Sequence, residues 1–295
     1  MTASFGVLIV GGVALSHPIL NASGTLDAQA AHTMLGDATL GCAAHVTKTI
    51  TPEPRAGNPA PRIAEVPGGM INSIGLPGPG VAAFRRDVLP RLATLCDVPV
   101  VVSIGGFAHD DYERVAADLA GEDAVAAVEL NLSCPNVQSG CISIGTDAAE
   151  TEEVTRRVCA VAERPVWVKL SPSVSDVAQL ARAAEAGGAA ALVLTNTARG
   201  MLYDRIRGGP FLGGGGGGLS GPALRPQALH CVQAARAAVA IAIVGVGGVE
   251  TADDAADLLL AGAQAVAIGT AIFRDPGAPA RIRAQLAAVL GRRRR

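Results

Sequence analysis

Eight short apolar runs recur along this chain, separated by Ala-rich amphipathic stretches. The runs are Ile19–Ala22, Ala43–Thr47, Val98–Ser103, Ala126–Leu130, Val166–Leu170, Ala190–Thr195, Ala240–Val246 and Ala265–Ile268. Between them, Gly80–Leu95, Asp110–Ala120, Thr151–Ala162, Val174–Ala186, Arg225–Ala238 and Ala252–Ala261 have helical patterning. Short buried strands alternating with helices over about 250 residues predict an α/β fold, a (β/α)₈ TIM barrel rather than an open doubly wound sheet. A Rossmann or flavodoxin-like sheet would place a glycine-rich turn after its first strand. Only Asn21-Ala22-Ser23-Gly24-Thr25 stands there. No linker divides the chain, so residues 1–295 are expected to form one domain, with Phe5–Val13 as a small hairpin closing the barrel floor.

Composition removes several function classes. Charged residues are 17% and the net charge is −2, which gives no footprint for nucleic acid and no membrane-surface patch. The one basic run, Arg292 to Arg295, is expected to be a disordered, solvated tail. No apolar run approaches the ~20 residues of a transmembrane helix. The N-terminus lacks the basic region and A-x-A site of a signal peptide. Six cysteines (Cys42, Cys96, Cys134, Cys141, Cys159 and Cys231) contain no C-x-x-C pair, so no zinc, iron–sulfur or other metal site is expected. That usage fits a reducing cytoplasm. Cys42, Cys96, Cys159 and Cys231 are read as small buried hydrophobes.

Of 24 basic residues only Lys48 and Lys169 are lysines. Compositional drift explains the excess of arginine, and two lysines could survive drift without a role. Arginine, however, cannot replace a compact ammonium in a tight site. Both lysines follow a β-like run, so they nominate a site. Chemistry in a (β/α)₈ barrel sits at the C-terminal ends of the strands. Those ends carry Ser23, Lys48, Ser103, Asn131, Lys169, Asn196, Gly247-Gly248 and Gly269-Thr270, and one composite site is expected there. Gly247-Gly248, opening a helix at Val249-Glu250-Thr251, and Gly269-Thr270, preceding Ala271-Ile272-Phe273, have the arrangement of a barrel phosphate cradle. Gly213–Gly218 allows further close backbone approach. Glycine pairs also serve ordinary tight turns, so the set carries the inference and no single pair does.

The sharpest segment is Glu129-Leu130-Asn131-Leu132-Ser133-Cys134-Pro135-Asn136-Val137. With it come Asn21–Thr25, Lys48-Thr49, Glu53-Pro54-Arg55, Gly57-Asn58-Pro59, Asn72-Ser73-Ile74-Gly75-Leu76, Lys169-Leu170-Ser171-Pro172, Thr195-Asn196-Thr197 and Leu219–Pro222. In this order they resemble the class 1 dihydroorotate dehydrogenases over nearly the whole chain. Gly145-Thr146-Asp147 is similar to subclass 1B, the catalytic subunit of an NAD-linked enzyme. The resemblance implies an FMN-dependent oxidation of dihydroorotate to orotate in pyrimidine biosynthesis, with Cys134 as the base at C5 and flavin N5 taking the hydride from C6. It implies Lys169 beside flavin N1 and Lys48 serving both flavin and the substrate carboxylate. Asn72, Asn131 and Asn196 would bracket the pyrimidine, with Ser73, Ile74, Gly75, Leu76 and Thr197 around it. Ser23, Thr49, Ser103, Asn131, Thr195, Gly221, Gly247, Gly248, Gly269 and Thr270 would hold FMN. It further implies a homodimer core joined by a subunit carrying FAD and a 2Fe-2S cluster, in a heterotetramer.

Two positions depart from the family pattern. Ser103 stands where asparagine is common, and Gln138-Ser139-Gly140-Cys141 stands where the 1B pattern tends towards a basic residue and paired glycines. Cys141 would line the same loop as Cys134. The competing readings are a fumarate-linked class 1A enzyme, a flavoenzyme for another dihydropyrimidine, a flavin-free phosphate-binding lyase or isomerase using a lysine amine, and a non-catalytic flavin-binding subunit.

Overall fold

In a computed structural model, which describes residues 5–132 and 144–292, the eight apolar runs become the eight strands of one parallel barrel. They are β3 (Ile19–Asn21), β4 (His45–Val46), β7 (Val100–Ile104), β8 (Val125–Asn131), β9 (Val166–Leu170), β10 (Ala191–Leu194), β15 (Ala242–Val246) and β16 (Ala265–Ile268). Their order in the sheet is β3-β16-β15-β10-β9-β8-β7-β4. Ahead of the barrel, β1 (Leu8–Val10) and β2 (Val13–Leu15) form an antiparallel hairpin, which starts three residues and ends two residues later than the sequence predicts.

The seam between β3 and β4 is closed by a side chain. Val46 N–H donates to Asn21 Oδ1 at 2.9 Å, and Asn21 Nδ2 donates to Val46 O at 2.8 Å. A carboxamide carries the donor and acceptor of a peptide group, so Asn21 supplies two ladder bonds where the backbones make few. Ala43 N–H adds one backbone bond to Ile19 O.

Alternation along the strands sorts two cores. Leu20, Val46, Val101, Ala127, Trp167, Val193 and Val244 fill the barrel interior, and Val10, Val13 and Leu15 of the hairpin close it from below. Trp167 on this floor donates its indole N–H to Gly11 O at 2.9 Å. Gly11 has φ +50°, and a Cβ there would lie 2.5 Å from the indole nitrogen. The opposite strand faces pack on the helices through residues such as Leu130, Leu170, Leu192 and Ile243. Both faces are therefore dry, which is why the strands read as continuous apolar runs.

The helices are α1 (Ala28–Leu35), α2 (Val81–Ala83), α3 (Leu89–Leu95), α4 (His109–Leu119), α5 (Ala148–Val161), α6 (Val177–Ala186), α7 (Arg225–Ala238), α8 (Ala252–Leu260), α9 (Ala271–Arg274) and α10 (Ala278–Arg292). A π-helical segment, Phe84–Val88, joins α2 to α3 where Pro90 removes a backbone donor. Arg292 is the last residue of α10 rather than the start of a tail, and the remaining arginines of that run lie outside the described residues. None of the described helices is long and apolar enough to cross a membrane.

One layer has no counterpart in the strand pattern of the sequence. A four-stranded antiparallel sheet, β11-β14-β6-β5, is built from β5 (Ile63–Val66), β6 (Gly69–Asn72), β11 (Ala198–Gly200) and β14 (Gly217–Ser220). These strands are inserted after barrel strands β4 and β10, so they sit at the C-terminal mouth. A small hairpin, β12 (Tyr203–Asp204) and β13 (Gly209–Pro210), extends from the same excursion.

Candidate active site

The strand ends and the antiparallel sheet enclose one cavity of about 330 Å³. Ser23, Lys48, Asn131, Lys169, Thr195, Asn196, Thr197, Gly247, Gly248, Gly269 and Thr270 reach its wall from the barrel. Asn72, Ile74, Gly75, Leu76 and Gly221 reach it from β6, β14 and the turns after them. Ser73, Thr49 and Ser103, also expected to touch ligand, stand behind this wall. Cys134 and Cys141 lie outside the described residues, as does the Gln138–Cys141 departure.

A directed hydrogen-bond chain runs through the wall. Thr197 N–H donates to Asn196 Oδ1 at 2.9 Å, and Asn196 Nδ2 donates to Asn131 Oδ1 at 3.0 Å. Asn131 Nδ2 donates to Thr49 Oγ1 at 3.1 Å, which lies 3.0 Å from Ser103 Oγ and 3.4 Å from Ser23 Oγ. Each amide is thereby held with its oxygen towards one neighbour and its nitrogen towards the next. Ser103 is fully buried, with its own N–H bonded to Thr47 Oγ1, so its hydroxyl supports Thr49 from below the site. Asn72 is fixed separately, through Nδ2 to Gly218 O at 3.1 Å. The turn after it is tied down by Asn58, whose Nδ2 donates to Ser73 Oγ at 3.0 Å, and by Arg55, which donates to Gly75 O and stacks 4.5 Å over the Phe107 ring.

The two lysines occupy different settings. Lys169 is buried at the cavity floor with its Nζ 3.9 Å from Glu129 Oε1. Lys48 is exposed on the cavity wall, and the tight turn at Gly24 packs along it. Gly24 has φ +76°, and a Cβ there would lie 3.4 Å from Lys48 Nζ.

On the far side Thr270 Oγ1 donates to Ser220 Oγ at 2.8 Å, joining the turn after β16 to β14. The helix after β15 begins at Ala252, where its patterning starts, and not at the Val249-Glu250-Thr251 opening expected after the glycine pair. Thr251 is its N-cap, and the N–H groups of Glu250 and Thr251 are taken by Asp254 Oδ2 at 3.0 and 2.9 Å. Asp254 also pairs with Arg225, locking α7 to α8. Of the residues after β15 expected to cradle an anion, Gly247 and Gly248 line the cavity, while the N–H groups of Glu250 and Thr251 are already taken. The glycine run Gly213–Gly218 has a different purpose from the one expected. A Cβ on Gly213 would strike Pro59 O, and one on Gly218 would strike Thr197 Oγ1. These glycines let the antiparallel sheet pack on its own neighbours.

Apolar wall residues escaped the sequence reading. Ile63 and Met70 come from the β5–β6 hairpin, Leu224 and Phe273 from a helix start and a helix end, and Val249 from the turn after β15. The available signal was Pro67-Gly68-Gly69, a turn between two short apolar runs. Burial pushes the Cys42 thiol up to about 12 and those of Cys96, Cys159 and Cys231 up to about 11. Cys42 and Cys231 are buried, Cys96 and Cys159 half-buried, and none of the four reaches the cavity. They pack as hydrophobes.

The family model for dihydroorotate dehydrogenase matches residues 8–290. The chain belongs to the dihydroorotate dehydrogenase family. Among its relatives, a protein of Desulforudis audaxviator is 48% identical over 277 residues, covering 94% of this chain and 90% of the relative. One from Listeria monocytogenes is 44% identical over 268 residues (90% and 87%), and one from Geobacillus kaustophilus is 43% identical over 279 residues (95% and 88%). Each of these is named dihydroorotate dehydrogenase B (NAD(+)), catalytic subunit. Dihydroorotate dehydrogenases are flavin-dependent TIM-barrel enzymes, and the residues present fit a flavin. A Cβ on Gly269 would make ordinary contact with Ala22 and Thr25, both cavity-wall residues, at 3.5 and 3.6 Å, and would take up cavity space that the glycine leaves open. A buried ammonium at Lys169 suits the negative charge of a reduced ring, and the Gly247, Gly248, Gly269 and Thr270 turns suit its phosphate.

Proposed function

We propose that this chain oxidises dihydroorotate to orotate with FMN in the described cavity, as the catalytic subunit of an NAD-linked enzyme. Bound there, FMN supplies a two-electron acceptor for the hydride leaving C6. Lys169 and the glycine turns after β15 and β16 bind the cofactor, with Ser23, Thr195, Gly221 and Thr270 completing its walls. Lys48 meets the substrate carboxylate. Asn72, Asn131 and Asn196 orient the flat pyrimidine, each from a short side chain able to both donate and accept. Ser73, Thr49 and Ser103 hold those asparagines and their turns from behind.

The proton leaving C5 goes to Cys134. Barrel strand β8 delivers the chain to the cavity at Asn131, three residues before this cysteine. Apolar groups at the mouth, Ile63, Met70, Leu224 and Phe273, would keep water from a base that works only as a thiolate. The supporting observation is the meeting of both lysines and three asparagines on one cavity in a chain of this family. The named catalytic-subunit relatives support a partner that carries electrons onward to NAD, for which we assign an FAD/2Fe-2S protein.

The test is an anaerobic electron-acceptor panel on the purified, FMN-loaded chain supplied with dihydroorotate. Reduction of an artificial dye, with NADH formed only after the electron-transfer subunit is added, is the expected pattern. Robust NADH formation by the single chain, or rapid fumarate reduction, would contradict the NAD-linked assignment.

A further inference from the structure

Glu129 is a buried charge that the reaction described above does not use. It precedes Asn131 by two residues on β8, between interior positions Ala127 and Asn131, so its side chain points into the barrel. Its Oε1 is 3.9 Å from Lys169 Nζ, near enough for charge attraction and too far for a hydrogen bond. Among the described residues that oxygen has no hydrogen-bond partner. The neighbours in register are committed elsewhere. Trp167 on β9 gives its only donor to Gly11 O, and Ser103 on β7 lies against Thr49 Oγ1. A buried carboxylate oxygen without such a partner is costly, and a buried ion pair seldom justifies itself as a stabiliser. The barrel interior below is filled by apolar side chains that avoid this cost. What distinguishes position 129 among the described residues is its counter-charge, the ammonium at the floor of the cavity.

We propose that Glu129 is a positioning residue for Lys169: it holds the ammonium at the cavity floor, offsets part of its charge, and so sets how strongly the site prefers reduced over oxidised FMN. The inference rests on the proposed flavin site. Two-electron reduction leaves an anionic ring, and a neighbouring cation favours that form. A carboxylate behind the cation weakens its field at the ring. Removing the negative charge while keeping the shape unmasks the ammonium. In Glu129→Gln the reduced cofactor should gain about tenfold in affinity relative to the oxidised one, a rise in midpoint potential of about 30 mV for a two-electron couple.

The experiment is a dye-equilibrated reductive titration of bound FMN in the wild-type chain and in Glu129→Gln, without substrate. A more positive potential in the variant supports the role. Wild-type protein that cannot retain added FMN overturns the flavin assignment and this inference with it. Retention by both proteins with an unchanged or more negative potential leaves the flavin assignment standing and removes the role of Glu129. Should Glu129→Gln fail to fold or to hold FMN, the double variant Glu129→Gln/Lys169→Gln decides. Recovery of folded protein supports charge compensation, because no unpaired buried ion remains; no recovery overturns it.

Discussion

Asn21 and Val46 exchange two hydrogen bonds, at 2.9 and 2.8 Å, across the seam between the first and second barrel strands. Asn21 is fully buried, so its loss would leave two backbone groups of Val46 without partners or water. Asn21→Ala should cost roughly 2–4 kcal/mol of stability, the sum of two small desolvation penalties. Asn21→Asp should also destabilise, since it keeps the acceptor and loses the donor. Urea denaturation of the purified variants checks this, and an unchanged midpoint for Asn21→Ala would show that the amide does not close the barrel.

The polar chain makes Thr49 a support for Asn131, standing behind the cavity wall. Thr49→Val keeps the shape and removes the acceptor for Asn131 Nδ2. The expected result is a KM for dihydroorotate raised about 3–10-fold with FMN still bound, matching one lost hydrogen bond. Steady-state kinetics with an artificial acceptor would show it. Loss of FMN with an unchanged KM would place Thr49 on the cofactor instead.

Both lysines should resist replacement by this chain's default cation. Lys169 is buried against Glu129, and the longer, planar guanidinium would extend into the cavity space proposed for the flavin. Lys169→Arg should lower flavin content after purification. Lys48→Arg should retain flavin but lose turnover, because Lys48 packs along the Gly24 turn on the open wall. Flavin-to-protein absorbance ratios and turnover separate the two effects, and full activity in both variants would leave the lysines without a role.

Acid should weaken the fold through two histidines. Burial pulls His17 and His45 down from the usual 6.5 to about 4, with Arg283 adding to the effect at His17. Between these values the unfolded chain binds protons that the folded chain does not, so stability falls as pH drops from about 6.5 towards 4. His45→Asn should flatten part of that slope. Urea midpoints across this range test it, and a flat profile in the wild-type chain would contradict it.

The barrel was legible because strands dry on both faces leave uninterrupted apolar runs, and helices such as Arg225–Ala238 keep their amphipathic spacing. The site was legible because two lysines among arginines, with Asn131 and Asn196, stand at barrel strand ends, whereas Asn72, on β6, came only with the family resemblance. The antiparallel sheet over the mouth was not, since its strands are only three or four residues long and two of the four begin with glycine. Nor could sequence separate Ser103 and Thr49, which brace the wall, from Asn131, which forms it. That difference depends on which strand residue reaches the rim, a matter of tilt and register. The closing role of Asn21 was hidden for a similar reason, because it appears only when the first and second strands meet.

We propose that Cys134 and bound FMN together remove a proton and a hydride from dihydroorotate. Anaerobic stopped-flow measurement of flavin bleaching tests it most directly, comparing the FMN-loaded wild-type chain with Cys134→Ala. The expected outcome is rapid bleaching by dihydroorotate in the wild type and a rate about 10²–10⁴-fold lower in the variant at unchanged flavin content, the usual contribution of a general base. Bleaching of the variant at wild-type speed, or no bleaching of the wild type by dihydroorotate, would contradict the account.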